Sequence, residues 1–489
     1  MTGSYPIALT VRITDKTSGV AYSAGQSFPL LVSLLANMSI GTTPGTSIPP
    51  TFMGLSHEWS GAQNLMGDSA SGVNTIYRQL LSNLTAYRSG PFNVRVGGLS
   101  TDNTGEPTST TAAPFAQLAQ ALGARFELGV NLGADNPNLA TDQATAYLSQ
   151  MPTGSVNAIE IGNEPDLYVA SGIRPAGYTV QDYFADFNTW EEAITPVLPS
   201  GTKFMGPSWT TSPFGMYWGS SGMLAETESF DSEFATSLST FSQHFYATSP
   251  LDNPAVDFLL TPGAATQGPS GIAAEVAAAH SNGAQFRLGE FNTVSDAGIE
   301  GISNAFGSAL WAVDAMFGYA NVGVDGVNWE ANAANYDSPF DFNITTSNGV
   351  ASYTLTSVNP VYYGMLLFQA ATGNGAKLLP VSFSTPANLT AWATIDASSV
   401  PRLVIINKDE SLSGTVEVTM PGYTQASILR LSAPSYTSTS GVTLGGQTFE
   451  GSSNGKIQGT QALATIEGNN GVFQLPMPIT SAALVVFSN

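Results

Sequence analysis

Between Phe52 and Trp329 the chain repeats one pattern. A short apolar run closes on glycine, asparagine or an acid, and a longer stretch with apolar residues at helical spacing follows. The runs are Phe52–Leu55 before Ser-His-Glu58, Phe92–Gly98, Phe126–Val130 before Asn131, Ala158–Gly162, Lys203–Gly206, Phe241–Tyr246, Phe286–Glu290 and Gly326–Trp329. Their length, alternation and flanking residues mark them as strands. Leu65–Tyr87, Ala112–Leu122, Asp142–Met151, Val180–Leu198, Ile272–Asn282 and Ile302–Tyr319 have helical character. Strands alternating with helices in this number, over about 300 residues, predict a (β/α)8 barrel. An open doubly wound sheet would want a glycine-rich phosphate loop after an early strand, and no GxGxxG occurs.

The flanks read differently. Ile7–Ile13 alternates and Phe28–Val32 is short and apolar, so both are expected strands, and a Thr/Pro/Gly/Ser stretch runs from Gly41 to Pro50. Past residue 350 strand patterns separated by turn clusters take over: Thr390–Ile395, Arg402–Ile406, Thr415–Met420, Ala426–Leu431 and Ala482–Phe487. These predict an antiparallel β-sandwich. The amino-terminal strands need a partner sheet, and some of them are expected to join it. The expected division is 1–45 for those strands, 46–350 for the barrel and 351–489 for the sandwich.

Composition narrows the function classes. A formal charge of -22, from 36 acidic against 14 basic residues, leaves no basic patch to hold nucleic acid. There is no cysteine and there are three histidines (His57, His244 and His280), which argues against a structural zinc site. The longest apolar run, Phe28–Ala36, is about half a membrane span and contains Pro29 and Ser33. The first residues lack the charged and apolar regions of a signal peptide. Low lysine and high Ser/Thr/Gly point to a secreted, mature chain, expected to be monomeric. Sequons at Asn37, Asn83, Asn343 and Asn388 permit glycosylation without arguing for it.

The stretch with most chemistry is Ala158-Ile-Glu-Ile-Gly-Asn-Glu-Pro165. Proline cannot donate to a ladder and pushes its predecessor toward extended geometry, so Glu164 is expected at a strand tip, where barrel enzymes place catalytic groups. Glu290 again ends an apolar run after glycine, in Leu288-Gly-Glu-Phe-Asn292. Three strand-helix units between the two would set both carboxylates over one mouth. Such a pair suits glycosidic bond cleavage, with one group protonated and the other ionised. Arg95 is a candidate ion-pair partner for Glu290. Asn163 could hydrogen-bond a sugar hydroxyl, Tyr246 could orient Glu290, and Trp329 could floor a sugar ring. Glu58 and Asp102 are further candidates for binding hydroxyls.

Ile161-Gly-Asn-Glu-Pro165 and Leu288-Gly-Glu-Phe-Asn292 resemble the acid/base and nucleophile strands of the retaining (β/α)8 glycosidases. Phe52-Met-Gly-Leu-Ser-His-Glu58, Val94-Arg-Val-Gly-Gly98, Ile302–Trp311 and Pro360-Val-Tyr-Tyr-Gly-Met365 narrow the resemblance to glycoside hydrolase family 79, the β-glucuronidase and heparanase family. The resemblance implies a double displacement without metal or cofactor on a carbohydrate substrate. In it Glu164 would be the acid/base and Glu290 the nucleophile, Asn163 would contact the sugar 2-hydroxyl, Tyr246 would hold Glu290, and Glu58 would line the sugar subsite. The chain departs from the family at one place. The family's β-glucuronidases carry a tyrosine a few residues after the nucleophile, which with nearby glycine amides binds the sugar carboxylate. Here Ser295 stands about there, in Asn292-Thr-Val-Ser-Asp-Ala-Gly298, and Asp296 adds a negative charge, leaving amides near Ala297 and Gly298. Exo-acting β-glucuronidase activity is therefore the first expectation and neutral β-glucosidase activity the second. A silent carbohydrate-binding protein on the same fold is the third, one that would not need both glutamates.

Overall fold

The computed structural model describes residues 3–14, 21–32, 34–87, 90–105, 109–210, 223–373 and 375–489. Eight parallel strands close a barrel in sequence order: Met53–Glu58, Asn93–Gly97, Arg125–Val130, Val156–Ile161, Lys203–Thr210, Leu238–Thr248, Gln285–Val294 and Gly326–Glu330. Parallel strands buried on both faces need near-continuous apolar runs, which is the pattern the sequence shows. The eighth strand pairs with the first through Val327 to Met53 and Glu330 to Ser56, which closes the ring.

Two helices differ from their sequence reading. The expected helix Leu65–Tyr87 is split into Ala62–Met66 and Thr75–Thr85 by a two-residue-strand hairpin, Gly67–Asp68 with Gly72–Val73. Asn74 starts the second piece, its side chain accepting from the amides of Ile76 and Tyr77. The barrel also runs past the expected boundary at residue 350. Its eighth helix is Pro360–Thr372, displaced downstream by an antiparallel hairpin, Phe340–Ser347 with Val350–Val358, that follows the eighth strand.

Among the described residues, the strands Gly3–Thr14 and Ala21–Val32 pair only with each other; residues 15–20 and 33 lie outside the described residues. It is Leu34–Ile40 that enters the sandwich. It sits between Val381–Ser384 and Gly414–Thr419, parallel to the latter, in a four-stranded sheet completed by Val472–Met477. The facing seven-stranded sheet is antiparallel and centres on Pro401–Asn407, Ser481–Ser488 and Gln425–Ser432.

That sheet is buried on both sides. Leu403 and Ile405 point into the sandwich core with Val416, Phe473 and Val485, whereas Val404 and Ile406 belong to the core shared with the barrel. The layer between is made of Phe306–Asn321 and Pro360–Thr372, whose residues are buried all round, as a helix enclosed on every side requires. Phe317 stacks on Trp392 at 5.8 Å, and the Trp392 indole donates to Asp314 Oδ1 at 2.7 Å. Lys408 Nζ donates to Asp314 Oδ2 at 2.6 Å, and both side chains are wholly buried.

Removing one member of a buried pair leaves the other charge unpaired. Lys408→Ala is expected to cost about 3–5 kcal/mol in denaturant unfolding. The double variant Asp314→Leu/Lys408→Met should recover most of that loss.

Candidate active site

The carboxyl ends of the barrel strands surround a cavity of about 570 Å3. Its depth is organised by Arg95 on the second strand, which has no exposed surface. The guanidinium donates from Nε to both oxygens of Glu160 at 2.8 and 3.0 Å, from one terminal nitrogen to Ser56 Oγ (3.0 Å) and Glu290 Oε1 (2.8 Å), and from the other to Asn163 Oδ1 (2.7 Å). One cation thus ties strands one, two, four and seven. The two glycines after it explain the motif. A Cβ on Gly97 would stand 2.6 Å from Glu160 Oε2, and one on Gly98 2.5 Å from the Glu58 carboxylate.

Glu290 receives Arg95 on Oε1 and the Tyr246 hydroxyl on Oε2 at 2.7 Å. Tyr246 and Glu290 lie on neighbouring parallel strands, where His244 is the residue in register with Glu290. Burial alone would raise the Glu290 pKa, but His244, Arg95 and the Tyr246 hydroxyl outweigh it and hold it down to about 2. Glu290 is therefore an ionised carboxylate at any working pH.

Glu164 does not take the extended geometry expected before proline. It sits in the left-handed region, φ 48° and ψ 54°, and begins the short 3-10 turn Pro165–Leu167. For a residue with a Cβ this costs about 1–3 kcal/mol. Its amide donates to Ser208 O at 2.9 Å, and its own carbonyl accepts from Leu167. The strain turns the side chain toward the sixth strand, where Oε1 meets His244 Nδ1 at 2.8 Å. His244 also lies 3.6 Å from Glu290 Oε2. Burial would lower the His244 pKa, but the charge of Glu290 and the bond to Glu164 together raise it above its ordinary value. One oxygen of each glutamate and a ring nitrogen of His244 lie within 4.8 Å of one another. These donors have the spacing of a cation site, yet Arg95 and Tyr246 already hold Glu290, and His244 holds Glu164.

The other candidates divide. Asn163 lines the cavity, and with Oδ1 taken by Arg95 its Nδ2 is the donor left over. Glu58 lines it too, its carboxylate accepting the amides of Leu99 and Ser100 and the Ser100 hydroxyl. Burial and the charge of Glu290 raise its pKa. Ser295 lies on the wall.

Three expectations are corrected. Asp102 does not face the cavity. It is buried beneath Asn163, accepting the amides of Leu132, Gly133 and Asn163 and the Tyr168 hydroxyl, so it positions the loop rather than a ligand. Trp329 has no exposed surface and packs edge-on against Phe291 at 4.7 Å and Trp311 at 6.0 Å, so it is core and not a platform. The Gly298 amide donates to Ser295 O, closing its own turn, and does not face the cavity.

Sequence reasoning missed four members of the site. His244 was visible only as the middle of Gln243-His-Phe-Tyr246. Glu160 was hidden inside the fourth strand. Glu330 stands one residue past Trp329, at the tip of the eighth strand, and Asp337 follows in its loop; both line the cavity.

An eight-stranded barrel whose mouth holds two glutamates, one ionised by design and one beside it on a histidine, defines a class: the protein is a glycoside hydrolase. Residues 391–484 match the glycosyl hydrolase family 79 C-terminal beta domain. The chain is 25% identical to a beta-glucuronidase of Aspergillus niger over 85% of this chain and 87% of that one. It is 24% identical to a beta-glucuronidase of Neurospora crassa over 79% and 77%. In fold it is similar to a 4-O-alpha-L-rhamnosyl-beta-D-glucuronidase from Fusarium oxysporum 12S, with TM-score 0.73 and 20% identity over 92% of this chain and 99% of that one. A family 51 arabinofuranosidase from Xanthomonas axonopodis pv. citri follows at TM-score 0.66, 15% identity, 93% and 100%. The chain is thus similar to glycoside hydrolase family 79 in its C-terminal domain and in its curated relatives.

Acids around the site set a pH dependence of stability. Burial pushes Asp102 up to about 6, Asp166 to about 7 and Asp337 to about 8. A raised folded pKa contributes stability that is fully present below the unfolded value near 4 and is lost as pH rises through 6 to 8. Glu290 works oppositely, but its contribution is constant above about 4.5, the unfolded value of a glutamate. Thermal unfolding is expected to show a maximum Tm near pH 5, with a value roughly 3 °C or more lower at pH 8.5.

Proposed function

We infer that the protein is a retaining, exo-acting β-glycosidase that cleaves β-D-glucuronides, with Glu164 as acid/base and Glu290 as nucleophile. The observation that carries this is the approach of the two carboxylates. One oxygen of each lies within 4.8 Å of the other, a close approach that supports the roughly 5–5.5 Å carboxyl separation of retaining pairs.

The chemistry follows from the groups around each acid. Arg95 and Tyr246 hold Glu290 ionised and fixed, so its carboxylate attacks the anomeric carbon while Glu164 gives a proton to the departing oxygen. In the second half Glu164 takes a proton from water, which then opens the glycosyl ester. His244, touching Glu164, relays the charge of Glu290 to it and fixes its rotamer. Asn163, anchored by Arg95, offers Nδ2 to the hydroxyl next to the reacting carbon. The cavity volume suits one terminal sugar ring with the start of its aglycone, which supports exo action.

The names of the two curated relatives and of the Fusarium oxysporum structure support a glucuronide substrate. A specific observation favours a neutral β-glucoside as the second reading: Glu330, Asp296 and Asp337 line the cavity, and no described lysine or arginine does.

Glu290→Gln should lower kcat by more than about 1000-fold while circular dichroism and Tm stay close to the parent. Activity near the parent would remove Glu290 from the nucleophile role. Glu164→Ala should lose about 100- to 10,000-fold on substrates with poor leaving groups and little on activated aryl glycosides, which need no acid help. NMR of the first product is expected to show the β-anomer; the α-anomer would overturn retention.

A further inference from the structure

A uronate is an anion above about pH 4, and no lysine or arginine among the described residues lines this cavity. Of the two cationic groups at its depth, His244 is held by Glu164, and Arg95 is engaged by Glu160, Ser56, Glu290 and Asn163. Residues 211–222, which precede the helix Met223–Glu233, contain no charged residue at all. The wall made by the eighth strand and its loop instead carries two buried acids with few hydrogen-bond donors to their oxygens. Glu330 is 6% exposed; Oε1 accepts from Asn332, and the Ser56 side chain is the carboxyl group's other hydrogen-bond partner. Asp337 is 1% exposed, and its Oδ1 is unpartnered. Asp337 packs against the turn after the seventh strand, where a Cβ on Gly298 would stand 2.9 Å from the Asp337 Cβ. Both line the same cavity as Glu164 and Glu290.

An ionised carboxylate buried without a partner is costly, whereas a neutral carboxyl is an O–H donor. The groups facing these acids favour the neutral form. Glu58 and Glu290 face Glu330, with Arg95 the one opposing charge. Glu290, Asp296 and Asp341 face Asp337.

We propose that Glu330 and Asp337 act as carboxylic-acid donors that recognise the substrate's uronate, each sharing its proton with a carboxylate that other sites would pair with arginine or lysine. This rests on the glucuronide reading above and deepens it. A carboxyl–carboxylate hydrogen bond is among the stronger ones available, with O–H···O⁻ at about 2.5–2.7 Å. Burial together with the charges of Glu290 and Glu58 lifts Glu330 well above the ordinary range, and burial lifts Asp337 to about 8. The donors are present below those values and are lost as pH rises through them. A uronate then meets two like charges, while a neutral sugar meets none of its own.

The test is the ratio of kcat/KM for 4-nitrophenyl β-D-glucuronide to that for the β-D-glucoside, from pH 5 to pH 9. Both substrates use the same acid and nucleophile, so the titration of Glu164 and Glu290 cancels in the ratio. The ratio is expected to fall roughly tenfold or more across this range. In the double variant Glu330→Gln/Asp337→Asn, whose amides donate without ionising, the fall should disappear. A ratio that stays flat in the parent protein overturns the proposal, whether or not the variant folds. So does a variant that lowers both substrates equally at every pH, which marks a structural role. Hydrolysis of the glucoside with no glucuronide turnover at any pH would instead overturn the glucuronide reading, and the proposal with it. A glucuronide preference without pH dependence would overturn the proposal alone.

Discussion

The site hangs on the burial of one guanidinium. Arg95 loses all its water, and that loss is made good only because five acceptor contacts fit its planar fork. Two of its partners are carboxylates, Glu160 and Glu290, so the cluster carries a net negative charge and attracts a proton onto His244. Lysine could supply the charge but not the geometry. The same contacts dictate the smallest residue at positions 97 and 98, since any Cβ there would displace Glu160 or Glu58. Electrostatics at the mouth and backbone choice on the second strand are thus one constraint.

Around that core the mouth is a gradient of protonation. Glu290, bonded to Arg95 and Tyr246, is pinned as an anion, while Glu330, partnered by the neutral side chains of Asn332 and Ser56, is pushed toward the neutral acid. The two lie in neighbouring strands of one wall. What separates them is the charge of the donors each receives, more than the depth at which it sits, since both are buried.

Much of this was legible from local sequence. The barrel was visible because strands buried on both faces leave short apolar runs, and the ends of those runs name the residues at the mouth. Glu164, Glu290, Asn163 and Tyr246 all announced themselves by such positions, and Arg95 as a basic residue inside one of the runs. Trp329 also stood at a strand end, but its side chain turns into the aromatic layer of Phe291 and Trp311, and alternation along a strand decides that with one residue's difference. Glu330, the next residue, faces the cavity instead. Asp102 and His244 owe their roles to partners 60 to 80 residues away, Asn163 and Glu164, which no local pattern encodes. The fifth helix, Met223–Glu233, went unread because its sequence is acidic and polar, with Thr227, Phe230 and Asp231 as its buried face. The eighth helix was masked by the hairpin before it, which looks like the start of the sandwich.

The doubly buried sheet has a consequence for how this molecule can be cut and recombined. A domain joined by a linker can be shed or swapped, because its surface is finished before it meets its neighbour. Here Val404, Ile406, Ala482 and Leu484 complete the packing of the barrel's last two helices. The sandwich is therefore less an appendage than an outer wall of the catalytic unit, sharing its bricks. A lineage could lengthen its loops, but it could not trade this module for another without rebuilding the helices beneath it.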